Sequence, residues 1–123
     1  MNEAAVELGA AVRETLERLQ PSLRGAAGHE VRIAVRLLQT LERELALGEA
    51  AREAERTRLQ GLLPDAGDLP LAALRERLCE ALLAGRIGVD DAALRGHLWR
   101  TTRDRLAIDS PGYQWREPPT RRS

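Results

Sequence analysis

Apolar residues in the first part of the chain recur every three or four positions, which is the spacing of one face of an α-helix. A first stripe predicts a helix from Glu3 to Leu19, and its members are Leu8, Val12, Leu16 and Leu19. Pro21 ends this helix, and the glycines of segment 24–28 predict a loop after it.

A second helix is predicted from His29 to Leu47 by a wide apolar stripe, made of Val31, Val35, Leu38, Leu41 and Leu45 with Ile33, Ala34 and Leu37 beside it. Gly48 is predicted to break or cap this helix. Segment 49–62 is rich in Ala, Glu, Arg and Leu, which are strong helix formers. It is predicted to be either a peripheral helix or a bent continuation of the second one.

A third helix is predicted to begin after the loop 64–68 and to end at about Ala84. Asp68 is its expected cap, and Pro70 is tolerated in a first turn. One face carries Leu71, Leu74, Leu78 and Leu82. Cys79 lies beside that face and is interpreted as a small buried apolar residue.

The last helix is predicted to begin after Asp90 as N-cap and to run to about Leu106. Its inward side is expected to hold Leu94, Leu98 and Thr101. The chain of 123 residues has no Phe, so Leu, Val, Ile and Ala must build its core, as they do in packed helices. The fold class is therefore predicted to be all-α: a single-domain bundle of four to five helices over residues 1–113, followed by a flexible C-terminal tail, 114–123.

The charge balance and the composition argue against several classes of function. The 19 basic residues, all of them Arg, balance 19 acidic ones, whereas a general nucleic-acid binder needs excess positive charge. No signal-peptide pattern and no apolar run long enough to cross a bilayer are present. We therefore expect a cytoplasmic protein that binds neither nucleic acid nor membrane.

Candidate catalytic chemistry is sparse. His29, His97 and Cys79 are far apart in sequence and form no metal-binding motif, and no phosphate-binding glycine loop is present. We expect no catalytic site, no metal and no cofactor, and hence no enzyme. An independent enzyme that uses His97 with Asp90 or Asp109 stays open as a further alternative.

The richest cluster of functional residue types follows His97. Trp99, Arg103, Asp109 and Tyr113 lie within and just after the last helix. Asp109 before Ser-Pro can close a side-chain turn, so the segment can simply cap the helix. It can equally form part of a partner surface, since Trp, Tyr and Arg are enriched in interface hot spots. Both interpretations stay open on the sequence alone.

The same segment carries a family resemblance. Leu106-Ala107-Ile108-Asp109-Ser110-Pro111-Gly112-Tyr113 resembles the Leu-x-Ile-Asp-Asn-Pro-x-Tyr motif that ends a bacterial domain family of unknown function, and Arg43-Glu44-Leu45 of the second helix matches as well. Members of this family are typically encoded beside an aminoglycoside-phosphotransferase-fold kinase and an acyl-CoA dehydrogenase-like protein. One branch resembles the small subunit that accompanies the 4-hydroxyacyl-CoA kinase of levulinate breakdown.

The resemblance implies a non-catalytic accessory subunit, with Mg-ATP and acyl-CoA chemistry on the kinase chain. The residues expected to contact a partner are Arg32, Arg36, His97, Trp99, Arg103, Asp109 and Tyr113. The alternative is a small helical module that binds acyl-CoA or a related anionic metabolite itself, with Arg32, Arg36 or Arg103 on the phosphates. A homodimer is also expected to be possible, because short Leu- and Ala-rich chains often complete their core across a two-fold axis.

Overall fold

A computed structural model of the protein describes residues 3–113. Within that range the chain forms four α-helices and no strand: α1 (Glu3–Leu19), α2 (Gly25–Leu62), α3 (Leu71–Leu83) and α4 (Ala92–Asp109). Short 3-10 turns cover Gln20–Ser22 and Pro64–Ala66. The predicted all-α fold class is confirmed, whereas the predicted tail lies outside the described residues.

Helix α2 is longer than predicted at both ends. Residues 25–28, predicted as a loop, form its first turn, and Gly28 there lies so close to the preceding turn that a Cβ would be 3.0 Å from the Leu23 carbonyl oxygen. The predicted break at Gly48 is wrong as well, because the helix continues to Leu62. The absent side chain at Gly48 instead leaves room for Glu44 and Arg52 to pair at 2.9 Å above it.

Helix α2 is the spine of the fold, and its two halves have different neighbours. Helix α1 folds back antiparallel along the first half, where Arg13 Nε donates to Glu42 Oε2 at 2.6 Å. Helices α3 and α4 pack on the second half. We call α1 with residues 25–42 the arm, and residues 43–62 with α3 and α4 the body.

The body contains the core. Leu59, Leu74, Leu78 and Leu94 form one buried cluster, which joins α2, α3 and α4. This confirms the apolar face predicted for α3 and the inward position of Leu94. By contrast, Leu98 is 48% exposed, because it lies about 100° around α4 from the buried side chain of His97.

The start of α3 differs from the expectation. Asp68 does not cap the helix; its carboxylate pairs with Arg56 of α2, which also donates to the Leu69 carbonyl at 3.2 Å. These contacts attach the α2–α3 connection to α2. Cys79 is exposed, not buried, because it follows Leu78 by one position and so points about 100° away from the core-facing side of α3.

Helix α4 begins one residue later than predicted and ends three residues later. Asp91, rather than Asp90, is its N-cap, with Oδ1 accepting a hydrogen bond from the Leu94 amide at 2.9 Å. At the other end, Arg43 of α2 donates from Nε to the Ile108 carbonyl at 2.6 Å. That bond satisfies one of the carbonyls that a helix C-terminus otherwise leaves unpaired.

The N-cap gives a direct test of this boundary. Asp91→Ala is expected to lower the free energy of unfolding by about 1 kcal/mol, because the Leu94 amide loses its acceptor. Asp90→Ala is the matched control and is expected to change little, since the adjacent Asp90 side chain caps no amide. Chemical denaturation followed by far-UV circular dichroism measures both. Equal losses from the two variants would contradict the assignment.

Candidate functional site

A cleft opens along one side of the body, between the second half of α2 and α4. Its volume is about 370 Å³, at the lower end of the range for small-molecule pockets. Gly48 and Ala51 line it from α2, and Thr101 and Ile108 from α4. Charged side chains from three helices complete the lining, namely Glu44, Arg52, Glu55, Arg58, Arg75, Asp104 and Arg105.

Glu55 is the buried acid of this cleft. Its carboxylate accepts two hydrogen bonds of 2.7 Å from Arg75 of α3, one from Nε and one from Nη2. These bonds lower the pKa of Glu55 below its ordinary value, against the opposing effect of burial. The forked pair fixes α3 to α2 and keeps Glu55 ionised, which leaves it poorly suited to act as a general acid.

His97 is buried beside the same cleft, with 5% of its surface exposed. Its Nδ1 accepts a hydrogen bond from Arg58 Nε at 3.2 Å, and Arg58 Nη2 also donates to Thr101 Oγ1 at 3.0 Å. Burial lowers the pKa of His97, and the Arg58 guanidinium lowers it further, while Glu55 acts in the opposite direction. The imidazole is thus held neutral, with Nδ1 as acceptor.

The end of α4 carries a second charged cluster. Arg105 donates to both carboxylate oxygens of Asp109 at 2.7 Å and reaches Glu44 of α2 at 3.3 Å. The hydrogen bonds from Arg105 lower the pKa of Asp109. Asp109 therefore does not use its carboxylate to close the side-chain turn that was one of the two open interpretations, because that carboxylate faces back along its own helix. The Tyr113 amide instead bonds the Ser110 carbonyl at 2.9 Å.

The other six predicted partner residues fall into three places. His97 is buried, so its side chain is not on a contact surface, which corrects that expectation; it faces α2, where Arg58 holds it. Trp99 is half-buried and Arg103 is exposed, and they lie one helical turn apart on α4, while Tyr113 is 60% exposed just beyond it. The two arginines of α2, Arg32 and Arg36, are exposed on the arm.

The residue types considered for metal binding or nucleophilic catalysis form no such site among the described residues. In the part of the chain that the structure describes, no three His, Cys, Asp or Glu side chains come together in a way that could hold a metal ion. Cys79 and His29 are both exposed, and His97 contacts Arg58. None of the helices formed by residues 3–113 combines the length and apolar character needed to cross a bilayer.

Sequence reasoning missed the hydrogen-bonded polar groups of the cleft. Glu55 and Arg58 were not singled out, because segment 49–62 has the composition of a solvated helix, and Arg75 of α3 was not singled out either. One signal was available: Glu55 lies four residues before Leu59 and so shares its face of α2. The hydrogen-bond partners of Glu55 and Arg58, however, lie 20 and 39 residues further along the chain, and no local pattern reveals them.

Comparison with known families matches residues 21–113 to the model of a domain of unknown function, DUF6285. The chain belongs to this family. The match spans α2, α3, α4 and the Ile108-Asp109-Ser110-Pro111 segment, and it begins after α1. The DUF6285 assignment agrees with the resemblance to a small helical family of unknown function. Comparisons with curated proteins and with solved structures gave no match.

Proposed function

We propose that this DUF6285 protein is a non-catalytic accessory subunit that binds an aminoglycoside-phosphotransferase-fold kinase acting on hydroxyacyl-CoA-type substrates. The identity of the partner rests on the resemblance carried by residues 106–113. The general class, an interaction protein, rests on how apolar surface is distributed in the described residues.

That distribution is the observation that carries the general class, an interaction protein. Among residues 3–113, seven apolar side chains are buried, whereas eleven large apolar side chains are exposed. Single exposed apolar residues are ordinary, but contiguous apolar faces usually mark binding surfaces. This chain therefore has more apolar surface than its own fold uses.

The polar groups support the same class. The acid and the histidine that are buried in the body, Glu55 and His97, are each hydrogen-bonded to an arginine. Their pKa values are shifted away from the neutral range in which a general acid or base works best. This network suits a structural role, in which it fixes α3 and α4 on the spine.

The surface that we assign to the kinase lies at the end of α4. Trp99 and Arg103 share one side of that helix, and Tyr113 follows it with its ring exposed. Aromatic side chains of this kind bury a large area at a small cost in conformational entropy, which is why they dominate interface energies. Arg103 is exposed one turn beyond Trp99 on the same helix.

Tyr113→Ala and Trp99→Ala are each expected to weaken kinase binding at least tenfold, as loss of an interface anchor does. The tagged protein is purified gently from its native host, the co-purifying kinase is identified by mass spectrometry, and the two purified chains are titrated by calorimetry. Val89→Ala is the matched control, because Val89 is exposed in the turn before α4. Circular dichroism checks that each variant keeps its helices.

Normal kinase binding by both variants would contradict the proposed surface. Recovery of the chain without any kinase would contradict the proposed partner. The second outcome would favour the alternative function, a module that binds acyl-CoA itself. The cleft supports that alternative, since Arg52 and Arg105 line it. Both guanidiniums already pair with Glu44, so a phosphate would have to displace that carboxylate. A rise in melting temperature with CoA thioesters would support such binding.

A further inference from the structure

The arm has an apolar face that nothing covers within the described chain. Six of the exposed large apolar side chains lie there: Leu8, Val12 and Leu19 on α1, and Ile33, Leu37 and Leu41 on α2. Leu8 is 71% exposed and Leu37 is 66% exposed. No side chain of α1 is buried, and Val35 is the one buried apolar side chain of the arm among the residues described.

Helical geometry places the two stripes on the same side of the arm. Arg13 of α1 and Glu42 of α2 bond across the helix pair. Val12 and Leu41 each precede one of these residues by one position, so each is rotated about 100° from the contact. Because α1 and α2 are antiparallel, this common rotation turns both stripes toward one face.

The same face of α2 is covered in the body. Leu37 and Leu41 belong to a row that continues at three- and four-residue intervals through Gly48, Glu55 and Leu59, all buried. Helices α3 and α4 cover the later part of this row. The arm thus presents half of a helical bundle, with two helices packed together and the core side open.

We propose that the occupant of this face is a second copy of the chain, so that two arms pack face to face into a four-helix bundle. Residues near a two-fold axis lie close to their own copies, so like charges there would repel. The stripe positions 8, 12, 15 and 19 of α1, and 33, 37 and 41 of α2, hold no charged side chain, and the one charged residue of the same row within the arm, Glu30, lies toward the start of α2. This neutrality suits self-association better than docking onto a charged partner.

The area is sufficient for a specific dimer. Helix α1 has 17 residues and is therefore roughly 25 Å long. Two packed helices present a face roughly 20 Å wide, so each copy contributes roughly 500 Å² and the pair roughly 1,000 Å². That value reaches the lower limit for a specific protein–protein interface.

The test is sedimentation equilibrium of the full chain alone, over a dilution series. A protomer of 13.6 kDa should appear as a species of twice that mass, and it should dissociate on dilution. Leu37→Glu is expected to raise the dissociation constant at least a hundredfold, because each dimer would carry two carboxylates in an apolar interface. Leu83→Glu is the matched control, since Leu83 is 91% exposed on α3, outside the arm, and should leave the dimer intact.

Leu37→Met provides a conservative variant that should retain the dimer, which guards against a misfolded charged variant. A wild-type chain that sediments as a monomer throughout the series would overturn the proposal, whatever the variants do. Retention of the dimer by Leu37→Glu would also overturn the proposal. So would a Leu37→Glu variant that no longer binds the kinase but sediments like the wild-type chain. The last result would assign the face to the kinase. Only that last result bears on the surface assigned to Trp99 and Tyr113, which the Trp99→Ala and Tyr113→Ala variants test separately.

Discussion

Leu59→Ala is expected to lower the free energy of unfolding by about 3 kcal/mol. Leu59 is completely buried and lies in the cluster that joins α2 to α3 and α4, with Leu74, Leu78 and Leu94 around it. Truncation removes apolar contacts and leaves a cavity that three crossing helices cannot easily close. Because domains of this size are stable by only about 5–15 kcal/mol, the loss should be plain in urea unfolding followed by circular dichroism.

Leu83→Ala is the control for this prediction. It makes the same chemical change in α3 at a side chain that is 91% exposed, so its effect should stay within about 0.5 kcal/mol. A small loss at Leu59, comparable with that at Leu83, would mean that the body is not packed as described. A large loss at both positions would instead place a partner or a second copy over Leu83.

Acid should destabilise the protein through His97 before any carboxylate is involved. Burial and Arg58 lower the pKa of His97 below its ordinary 6.5. The unfolded chain therefore takes up a proton near pH 6.5 while the folded chain does not, so stability is full above that pH and falls as the pH drops below it. A single group of this kind changes the free energy of unfolding by at most about 1.4 kcal/mol per pH unit.

His97→Gln should remove this slope, since a glutamine oxygen can accept from Arg58 and carries no charge at any pH. The ordinary pKa values of Glu55 and Asp109, 4.5 and 3.8, are lower, so their contributions are lost only in more acidic solution. The free energy of unfolding is measured by urea denaturation at several pH values between 6.5 and 4.5. His29→Gln is the control, because it makes the same exchange at an exposed side chain. If His97→Gln kept the wild-type slope, the neutral buried histidine would be ruled out as its source.

Much of the fold followed from local patterns. The bounds of α1, the helical character of segment 49–62 and the core face of α3 were all predicted from three- and four-residue spacing. The predicted start of a helix was one residue off where two neighbouring residues could each act as the N-cap, as at Asp90 and Asp91. Gly48 shows why a breaker is only a preference, because the cost of a glycine inside a helix is about 1 kcal/mol and packing along α2 exceeds it.

The candidate site was less accessible to sequence reasoning. Trp99, Arg103 and Tyr113 were selected by residue type, and their role as a kinase surface remains a prediction. The polar network was missed because ordering it needs partners from different helices: Glu55 pairs with Arg75 of α3, and Arg58 bonds His97 of α4. His97 was likewise expected to contact a partner, whereas the approach of α2 buries it.

Helix periodicity and short motifs are local properties of the chain, so the amino-acid pattern was enough to predict a helical protein, the position of its apolar stripes and the lack of local metal and nucleophile motifs. Which stripe is covered could be read only from the packing of the helices. Helices α3 and α4 pack on the second half of α2 alone, so the same face holds buried Leu59 in the body and exposed Leu37 in the arm. Burial depends on which helix comes to lie opposite, and that is a property of the whole fold.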